Sequence, residues 1–218
     1  MRFFSLLVTW LVLSGTARAA DSLAAAVLCE TAIASAEYSG RLPPHLLNAI
    51  ALVESGRYDE RAGAVRPWPW TINVEGEGHF YASKGDAIAA VQAFRARGVR
   101  SIDVGCMQVN LMFHPDAFAS LDEAFDPRAN ASYAAQFLNR LRGPSSDWSH
   151  AIAAYHSETP ALGDPYRAMV MLRWNGPNIR FASTVQPAQY RAFQPPEAVY
   201  GSFASAGQAY GAFAKPRR

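Results

Sequence analysis

The sequence predicts a mainly helical α+β domain with one small β-hairpin around residues 70–82. Apolar residues recur every three or four positions along most of the chain, which is the period of an α-helix with one buried face. Capping residues, prolines and glycines bound these stretches. Half of the 218 residues are apolar and 17% are charged, so the chain has enough apolar material for a packed core.

Capping residues and prolines define the first two predicted helices. Asp21 or Ser22 can cap the first helix, which is expected to end near Gly40. Pro43 and the proline after it are expected to open the second helix, because the first turn does not need its N–H groups. This second helix should stop at Gly56, since glycine commonly follows the last turn.

The helical period is interrupted between residues 57 and 82. Thr71–Val74, a glycine-containing turn and His79–Ala82 together predict a β-hairpin. Aromatic residues on this insertion form either one wall of a cleft or, as the favoured interpretation, a small core of its own. These residues are Trp68, Trp70, Phe80 and Tyr81.

Five helices are expected after the hairpin. Ser83, with Asp86 three residues later, can cap the first of them, which should end at Gly98. The other four have capping or terminating residues at one or both ends. Their predicted ranges are 116–124, 126–143, 148–156 and 165–174.

The first residues have the pattern of a secretory signal peptide. A basic Met1-Arg2 start precedes an apolar run at residues 3–13, and Ala17 and Ala19 form an Ala-x-Ala cleavage site. The run is about eleven residues long, well short of the roughly 20 that a spanning helix needs. We expect residues 1–19 to be removed, with cleavage after Ala19 or Ala20, and the protein to be exported to the periplasm without a membrane span.

The remaining chain divides into one domain and a tail. Residues 20–175 have the usual length of a single domain. Residues 176–218 contain Gly, Ala, Ser, Pro, Gln and scattered aromatics without helical or strand period, which predicts a flexible C-terminal tail.

Charge and cysteine content restrict the class of function. The net charge of +2 suits an anionic polymer without requiring one, and no basic cluster interleaved with aromatics indicates a nucleic-acid partner. No histidine pair is spaced as helix-borne metal ligands are, so no metal and no cofactor is expected. The two cysteines, Cys29 and Cys106, favour a disulfide in an exported protein, with two buried thiols as the alternative.

Glu54 is the first candidate catalytic residue. It follows Leu47 by seven positions and Ile50 by four, so it shares the core-facing stripe of the second helix. Burial and the negative end of the helix dipole both raise the pKa of a carboxyl group at this place, which is what a general acid requires. The alternative is a surface glutamate whose helical phase is misjudged.

Two further segments carry polar groups that suit an N-acetylated sugar. Residues 105–110 read Gly-Cys-Met-Gln-Val-Asn, in which Met107 offers an apolar wall and Gln108 and Asn110 each supply a donor and an acceptor. Near the end of a later helix, Tyr155 can stack on a sugar and His156 can donate or accept a hydrogen bond. The alternatives are a capped turn and a structural Tyr-His pair.

Taken together, these segments resemble a known family. Glu54-Ser55-Gly56, then residues 105–110, then Ala154-Tyr155-His156, then Tyr166, are similar to the ordered motifs of the soluble lytic transglycosylase catalytic domain. The similarity covers about residues 28–174. The wording of residues 101–110 and the Tyr-His-Ser sequence most resemble small members that accompany secretion, conjugation or flagellar machines.

The resemblance implies a lysozyme-like fold and a peptidoglycan substrate. The expected reaction cleaves the β-1,4 bond between N-acetylmuramic acid and N-acetylglucosamine and closes a 1,6-anhydro ring, with Glu54 as acid and then base. Substrate-binding or supporting roles then fall to a set of residues named by motif position. These are Ser55, Met107, Gln108, Asn110, Tyr155, His156 and Tyr166.

Two departures from the family pattern bear on these expectations. Many members have Asn where this chain has His156, and the interval between Glu54 and Gln108 is longer than in the shorter relatives. A hydrolytic lysozyme is the nearest alternative function; it usually needs a second carboxylate, for which Asp103 is the best-placed candidate. A catalytically silent peptidoglycan-binding scaffold is the other alternative.

Overall fold

The structure is a computed structural model that describes residues 9–145 and 147–175. It is mainly helical with a small antiparallel β component, so the predicted fold class is confirmed. A 3₁₀ turn at Gly143–Ser145 follows the fifth helix. The helices are α1 Thr9–Gly40, α2 Leu46–Glu54, α3 Lys84–Ala96, α4 Leu121–Ala124, α5 Pro127–Arg142, α6 Trp148–His156 and α7 Pro160–Asn175.

The strands form one hairpin and one four-stranded antiparallel sheet. Strands β1 and β2 pair with each other, and the larger sheet has the order β4-β3-β5-β6. The predicted hairpin is β3–β4, and both residues of its turn, Glu75 and Gly76, have positive φ, as a two-residue hairpin turn requires. The strands are β1 Gly56–Asp59, β2 Ala64–Pro67, β3 Thr71–Val74, β4 Glu77–Phe80, β5 Ile102–Val104 and β6 Val109–Asn110.

Two helices begin earlier than predicted. Helix α1 starts at Thr9 and not at Asp21, and it continues without a break through Gly15 and Ala17 to Asp21. Helix α7 starts at Pro160 and not at Pro165, since the N–H groups of its first turn find an acceptor in the carbonyl of Thr159. Cleavage of a signal peptide stays a prediction, and the predicted tail lies outside the described residues.

Two other helices begin later than predicted. Helix α2 starts at Leu46, because His45 adopts a left-handed conformation with φ 65° and the two preceding prolines belong to a turn. Helix α4 starts at Leu121, where the Ser120 hydroxyl accepts a hydrogen bond from the N–H of Glu123. The remaining helices match their predicted caps closely.

The buried apolar residues form two main cores. The larger lies among α1, α2, α5, α6 and α7, and the smaller lies between the sheet and helices α3 and α4. Ile102 and Val104 belong to the sheet core, whereas Cys106, Met107 and Val109 belong to the helical core. The segment of residues 102–109 therefore runs from one core into the other. We call the parts of the domain built around these two cores its two lobes, and this segment connects them.

The aromatic residues of the insertion are mostly structural. Trp68 is 5% exposed and packs on Ala25 and Ala26 of α1, while its indole N–H donates to the carbonyl of Tyr81. Trp70 packs against both this cluster and the sheet core. The tryptophans are thus structural, but they pack on α1 and on the sheet core and do not form a core of the insertion alone; Phe80 is exposed at the edge strand. Among the described residues, each helix is too short or too polar to cross a bilayer.

Candidate active site

Glu54 occupies the last position of α2, with Leu47 and Ile50 of the same helix fully buried beneath it. The hydroxyl of Tyr166 donates a 2.6 Å hydrogen bond to its Oε1. Burial raises the pKa of the Glu54 carboxyl to about 8; the Tyr166 hydrogen bond opposes this shift, and the nearby charge of Asp103 adds to it. Glu54 is therefore protonated at neutral pH, which is the state of a general acid.

The residues that fix Glu54 are themselves held in place. The ring of His156 stacks on that of Tyr166, with centroids 4.8 Å apart and planes 10° from parallel. Burial lowers the pKa of His156 to about 4, so its imidazole is neutral near pH 7. The Tyr155 hydroxyl donates a 2.8 Å hydrogen bond to the carbonyl of Met107. Three sequence-predicted residues, Tyr155, His156 and Tyr166, are thus brought together beside Glu54.

The segment 105–110 is tied to the end of α2 and to α1. The Ser55 hydroxyl donates a 2.6 Å hydrogen bond to the carbonyl of Cys106, which links the residue after Glu54 to this segment. A disulfide joins Cys29 of α1 to Cys106, with the two Cα atoms 5.8 Å apart. The structure contains the predicted disulfide, which ties the segment to α1.

The side-chain amide oxygen of Gln108 has no hydrogen-bond partner within the described residues. Its backbone is left-handed, with φ 48°, and its Nε2 donates to the carbonyls of Thr71 and Gly105 at 3.1 and 2.9 Å. These two bonds fix which amide atom is nitrogen. Oε1 is buried and has no hydrogen-bond partner within the described residues. An acceptor of this kind suits a sugar hydroxyl or amide N–H.

Comparison with protein families decides the identity of the domain. Residues 31–165, more than half of the chain, match the family model described as Transglycosylase SLT domain. The chain belongs to this family. Searches of curated proteins and of solved structures gave no match.

In this SLT domain, four of the predicted binding residues are enclosed by protein. Ser55 and Met107 are fully buried, Tyr166 is 3% exposed and Asn110 is 8% exposed. Their burial is at odds with direct substrate contact, because their polar groups already bond within the protein and Met107 fills the helical core. These four residues support the site. Substrate contact stays a prediction for the partly exposed Gln108, Tyr155 and His156.

Asn130 of α5 is a supporting residue that the sequence analysis missed. Its Oδ1 accepts from the N–H of Met107, and its Nδ2 donates to the carbonyls of Val104 and Ala124. A Cβ on Gly105, whose φ is +83°, would lie 2.6 Å from this Nδ2. The one available signal was a polar residue among the buried alanines of α5.

Asp103 is the second carboxylate of the SLT site. It lies on β5 and accepts a 2.7 Å hydrogen bond from the amide of Asn110. Burial raises its pKa to about 7, and the Asn110 hydrogen bond opposes the shift. Its charge raises the pKa of both Glu54 and Tyr155, which places the three groups in one electrostatic neighbourhood.

The chemistry available to the site is that of carboxyl groups and hydrogen bonds. In the part of the chain that the structure describes, no group of three or more His, Cys, Asp or Glu side chains could hold a metal ion. A protonated glutamic acid in a partly buried position, beside a second carboxylate, can protonate a leaving oxygen and later accept a proton.

Proposed function

We propose that this chain cleaves peptidoglycan glycan strands between N-acetylmuramic acid and N-acetylglucosamine and releases 1,6-anhydromuramic ends. The SLT match supports lytic transglycosylase activity on peptidoglycan. The observation that carries the finer proposal is Glu54, held protonated by burial and oriented by Tyr166.

Glu54 serves first as the acid. Its proton passes to the glycosidic oxygen as the bond from C1 of the muramyl sugar breaks. The carbonyl oxygen of the 2-acetamido group attacks C1, and the muramyl sugar becomes a bicyclic oxazolinium intermediate. The Tyr166 hydroxyl keeps the carboxyl oriented through this step, because its hydrogen bond to Oε1 restricts rotation of the side chain.

Glu54 then serves as the base. As a carboxylate it removes the proton from the muramyl 6-hydroxyl, whose oxygen attacks C1 and displaces the acetamido oxygen. The 1,6-anhydro ring closes, and Glu54 is again protonated. One residue therefore completes both proton transfers, without a water molecule entering the product.

Product analysis tests this proposal. A protein comprising residues 20–218 is incubated with purified peptidoglycan, and the masses of the released muropeptides are measured by mass spectrometry. We expect muramic ends lighter by one water molecule than reducing ends. Glu54→Gln should lose activity by about 10³-fold, as removal of a general acid does, whereas Glu60→Gln, at an exposed position on the β1–β2 hairpin, should retain it.

A hydrolytic lysozyme is the second candidate, favoured by one observation, the closeness of Asp103 to Glu54. Reducing muramic ends from the wild-type protein would establish hydrolysis and overturn ring closure. A catalytically silent scaffold would release no product, and Glu54→Gln would then leave every measured property of wall binding unchanged.

We also propose that the protein acts in the periplasm and opens local gaps in the wall for a secretion, conjugation or flagellar apparatus. The signal-peptide pattern and the resemblance of residues 101–110 support this. A reporter enzyme that is active only after export, fused behind residues 1–22, tests the first part. Failure of apparatus assembly in cells carrying Glu54→Gln tests the second.

A further inference from the structure

Asp103 is close enough to Glu54 for its charge to act on that carboxyl group. Its neighbours on β5, Ile102 and Val104, are fully buried in the sheet core, and successive side chains of a strand point to opposite faces. Asp103 therefore points away from the sheet core. In the strand register it lies opposite Asn73 of β3 and Asn110 of β6, so this face of the sheet carries a row of polar side chains.

One oxygen of Asp103 is fixed and the other is open. Asn110 donates to Oδ1 and also bonds to Ser101, while its own Oδ1 accepts from two backbone N–H groups. These bonds restrict rotation of the Asn110 side chain, and Asn110 in turn restricts rotation of the Asp103 carboxyl group. Within residues 9–145 and 147–175, no donor bonds to the second carboxylate oxygen of Asp103.

The site has acceptors in excess of donors. The second oxygen of Asp103 and Oε1 of Gln108 both lack partners in the described residues, and both lie on segments that flank Gly105. Oε1 of Gln108 is buried, and a polar acceptor withdrawn from water is unfavourable until a donor pairs with it; the second oxygen of Asp103 is not among the buried unpartnered atoms. Both oxygens are therefore free to accept hydrogen bonds from a ligand with N–H or O–H groups.

We propose, on the basis of the function proposed above, that Asp103 accepts a hydrogen bond from the N–H of the muramyl 2-acetamido group and thereby aims its carbonyl oxygen at C1. Asp103 would then be a catalytic residue that touches the substrate, and Asn110 the positioning residue behind it. The ligand class is a 2-acetamido sugar, for which a planar amide presents its N–H and carbonyl in opposite directions.

The role requires no proton transfer by Asp103. As the carbonyl oxygen bonds to C1, the C1–O bond to the leaving sugar breaks and the Glu54 proton goes to that oxygen. The amide nitrogen then shares the positive charge of the oxazolinium ion, and the carboxylate of Asp103 faces its N–H. When the 6-hydroxyl oxygen replaces the acetamido oxygen at C1, Glu54 takes the hydroxyl proton and the charge disappears.

The experiment compares Asp103→Asn with wild type and with Asp122→Asn, an exposed control. Three quantities are measured: kcat on peptidoglycan, inhibition by a muramic thiazoline that imitates the oxazolinium ion, and affinity for neutral tri-N-acetylchitotriose. Asn retains the shape of Asp and the contact with Asn110, and the melting temperature checks the fold.

We expect Asp103→Asn to lower kcat and to weaken thiazoline inhibition by roughly 10- to 100-fold, the range for one charge-assisted hydrogen bond. Chitotriose affinity should fall by a smaller factor, because its acetamido N–H loses a hydrogen bond but carries no positive charge for the carboxylate to stabilise. Equal weakening of both ligands would reduce Asp103 to a structural role, and wild-type values throughout would give it none; either result overturns the proposal.

The same measurements distinguish failure of the proposed ring-closing function from failure of the role proposed for Asp103. Reducing ends together with selective loss of thiazoline inhibition would overturn ring closure and leave the acetamido role of Asp103 standing. Anhydro ends with no selective loss would overturn the role of Asp103 alone. Reducing ends with no selective loss would overturn both.

Discussion

The Tyr166 hydroxyl lies 2.6 Å from Oε1 of Glu54, although 112 positions separate the two residues in the chain. Helix α7 supplies the phenol and the end of α2 supplies the carboxyl. The same phenol is covered by the His156 ring. The acid is thus oriented by an element from the far end of the described domain, and its orientation depends on the packing of α7 against α2 and of α6 against α7.

Tyr166→Phe should slow the enzyme and move its alkaline limit upward. The hydrogen bond stabilises the carboxylate, so its loss raises the pKa of Glu54 further, and the loss of orientation should lower kcat by about 10- to 100-fold. The measurement is the pH profile of kcat/KM. Tyr38→Phe, on an exposed tyrosine of α1, is the control. An alkaline limb that moves to lower pH would contradict the role given to Tyr166.

Glu54→Gln should make the protein more stable at alkaline pH. Burial raises the pKa of Glu54 from the ordinary 4.5 of a glutamic acid to about 8 in the folded protein, so the folded state holds the proton more tightly. The contribution of protonated Glu54 to stability is complete below pH 4.5 and is lost as pH rises towards 8. Gln does not ionise, so the variant does not lose this stability as pH rises. Its free energy of unfolding at pH 8 should exceed that of the wild-type protein by on the order of 2 kcal/mol.

Urea denaturation at pH 4 and pH 8 measures this gain. The charged and titratable groups that act on Glu54, namely Tyr166, Tyr155 and Asp103, are retained in the variant. Glu60→Gln, at an exposed position, is the control variant. A gain of the same size at both pH values would mean that the effect is not one of protonation.

Gly105→Ala should destabilise the protein more than Gly98→Ala. Both glycines have positive φ, +83° and +89°, so alanine is strained at either place by about 1 kcal/mol. Only at Gly105 would the new Cβ meet the buried amide of Asn130, whereas nothing lies within 4 Å of a Cβ at Gly98. Displacing that amide should cost roughly a further 2–3 kcal/mol through its lost hydrogen bonds.

The free energy of unfolding from urea titrations compares the two variants. Gly105→Ala should also lose activity, because Asn130 holds the N–H of Met107. Equal destabilisation by the two substitutions would show that the Asn130 side chain can move away from the new Cβ without a loss of stability.

Reduction of the Cys29–Cys106 disulfide should lower the free energy of unfolding by about 4 kcal/mol, since the bond closes a loop between residues 77 positions apart. The protein is reduced in denaturant, refolded with and without dithiothreitol, and titrated with urea. A double variant, Cys29→Ser with Cys106→Ser, should have the lower stability and be insensitive to the reductant. Reductant sensitivity in that variant would point to another cause.

Local patterns were sufficient to locate the helices, although not the starts of α1, α2, α4 and α7, and to direct Glu54 towards the core. The Leu47–Ile50 stripe places Glu54 towards the core, and the Ser83 and Asp126 caps mark the starts of α3 and α5 correctly. The short strands β5 and β6 have two or three residues each, too few for a period to be recognised.

The long-range parts of the site could not be derived from local pattern. The closeness of Asp103 to Glu54 depends on pairing of β5 with β3, and the enclosure of Met107 depends on the packing of five helices. The family resemblance supplied the roles of Tyr155 and Tyr166, but it assigned to ligand contact several side chains that are buried. Burial of a polar residue is decided by the tertiary partners that satisfy it.

The three hydrogen bonds of Asn130 bear on how a polymer enters the enzyme. They join the end of β5, the segment after Gly105 and the end of α4 to the first turn of α5, so a single amide connects the sheet core to the helical core. A movement of one core relative to the other would have to break the bonds to Val104 and Ala124, which belong to the sheet core. We therefore expect the free and glycan-bound forms to share one arrangement of lobes, so that a strand is received in a preformed groove.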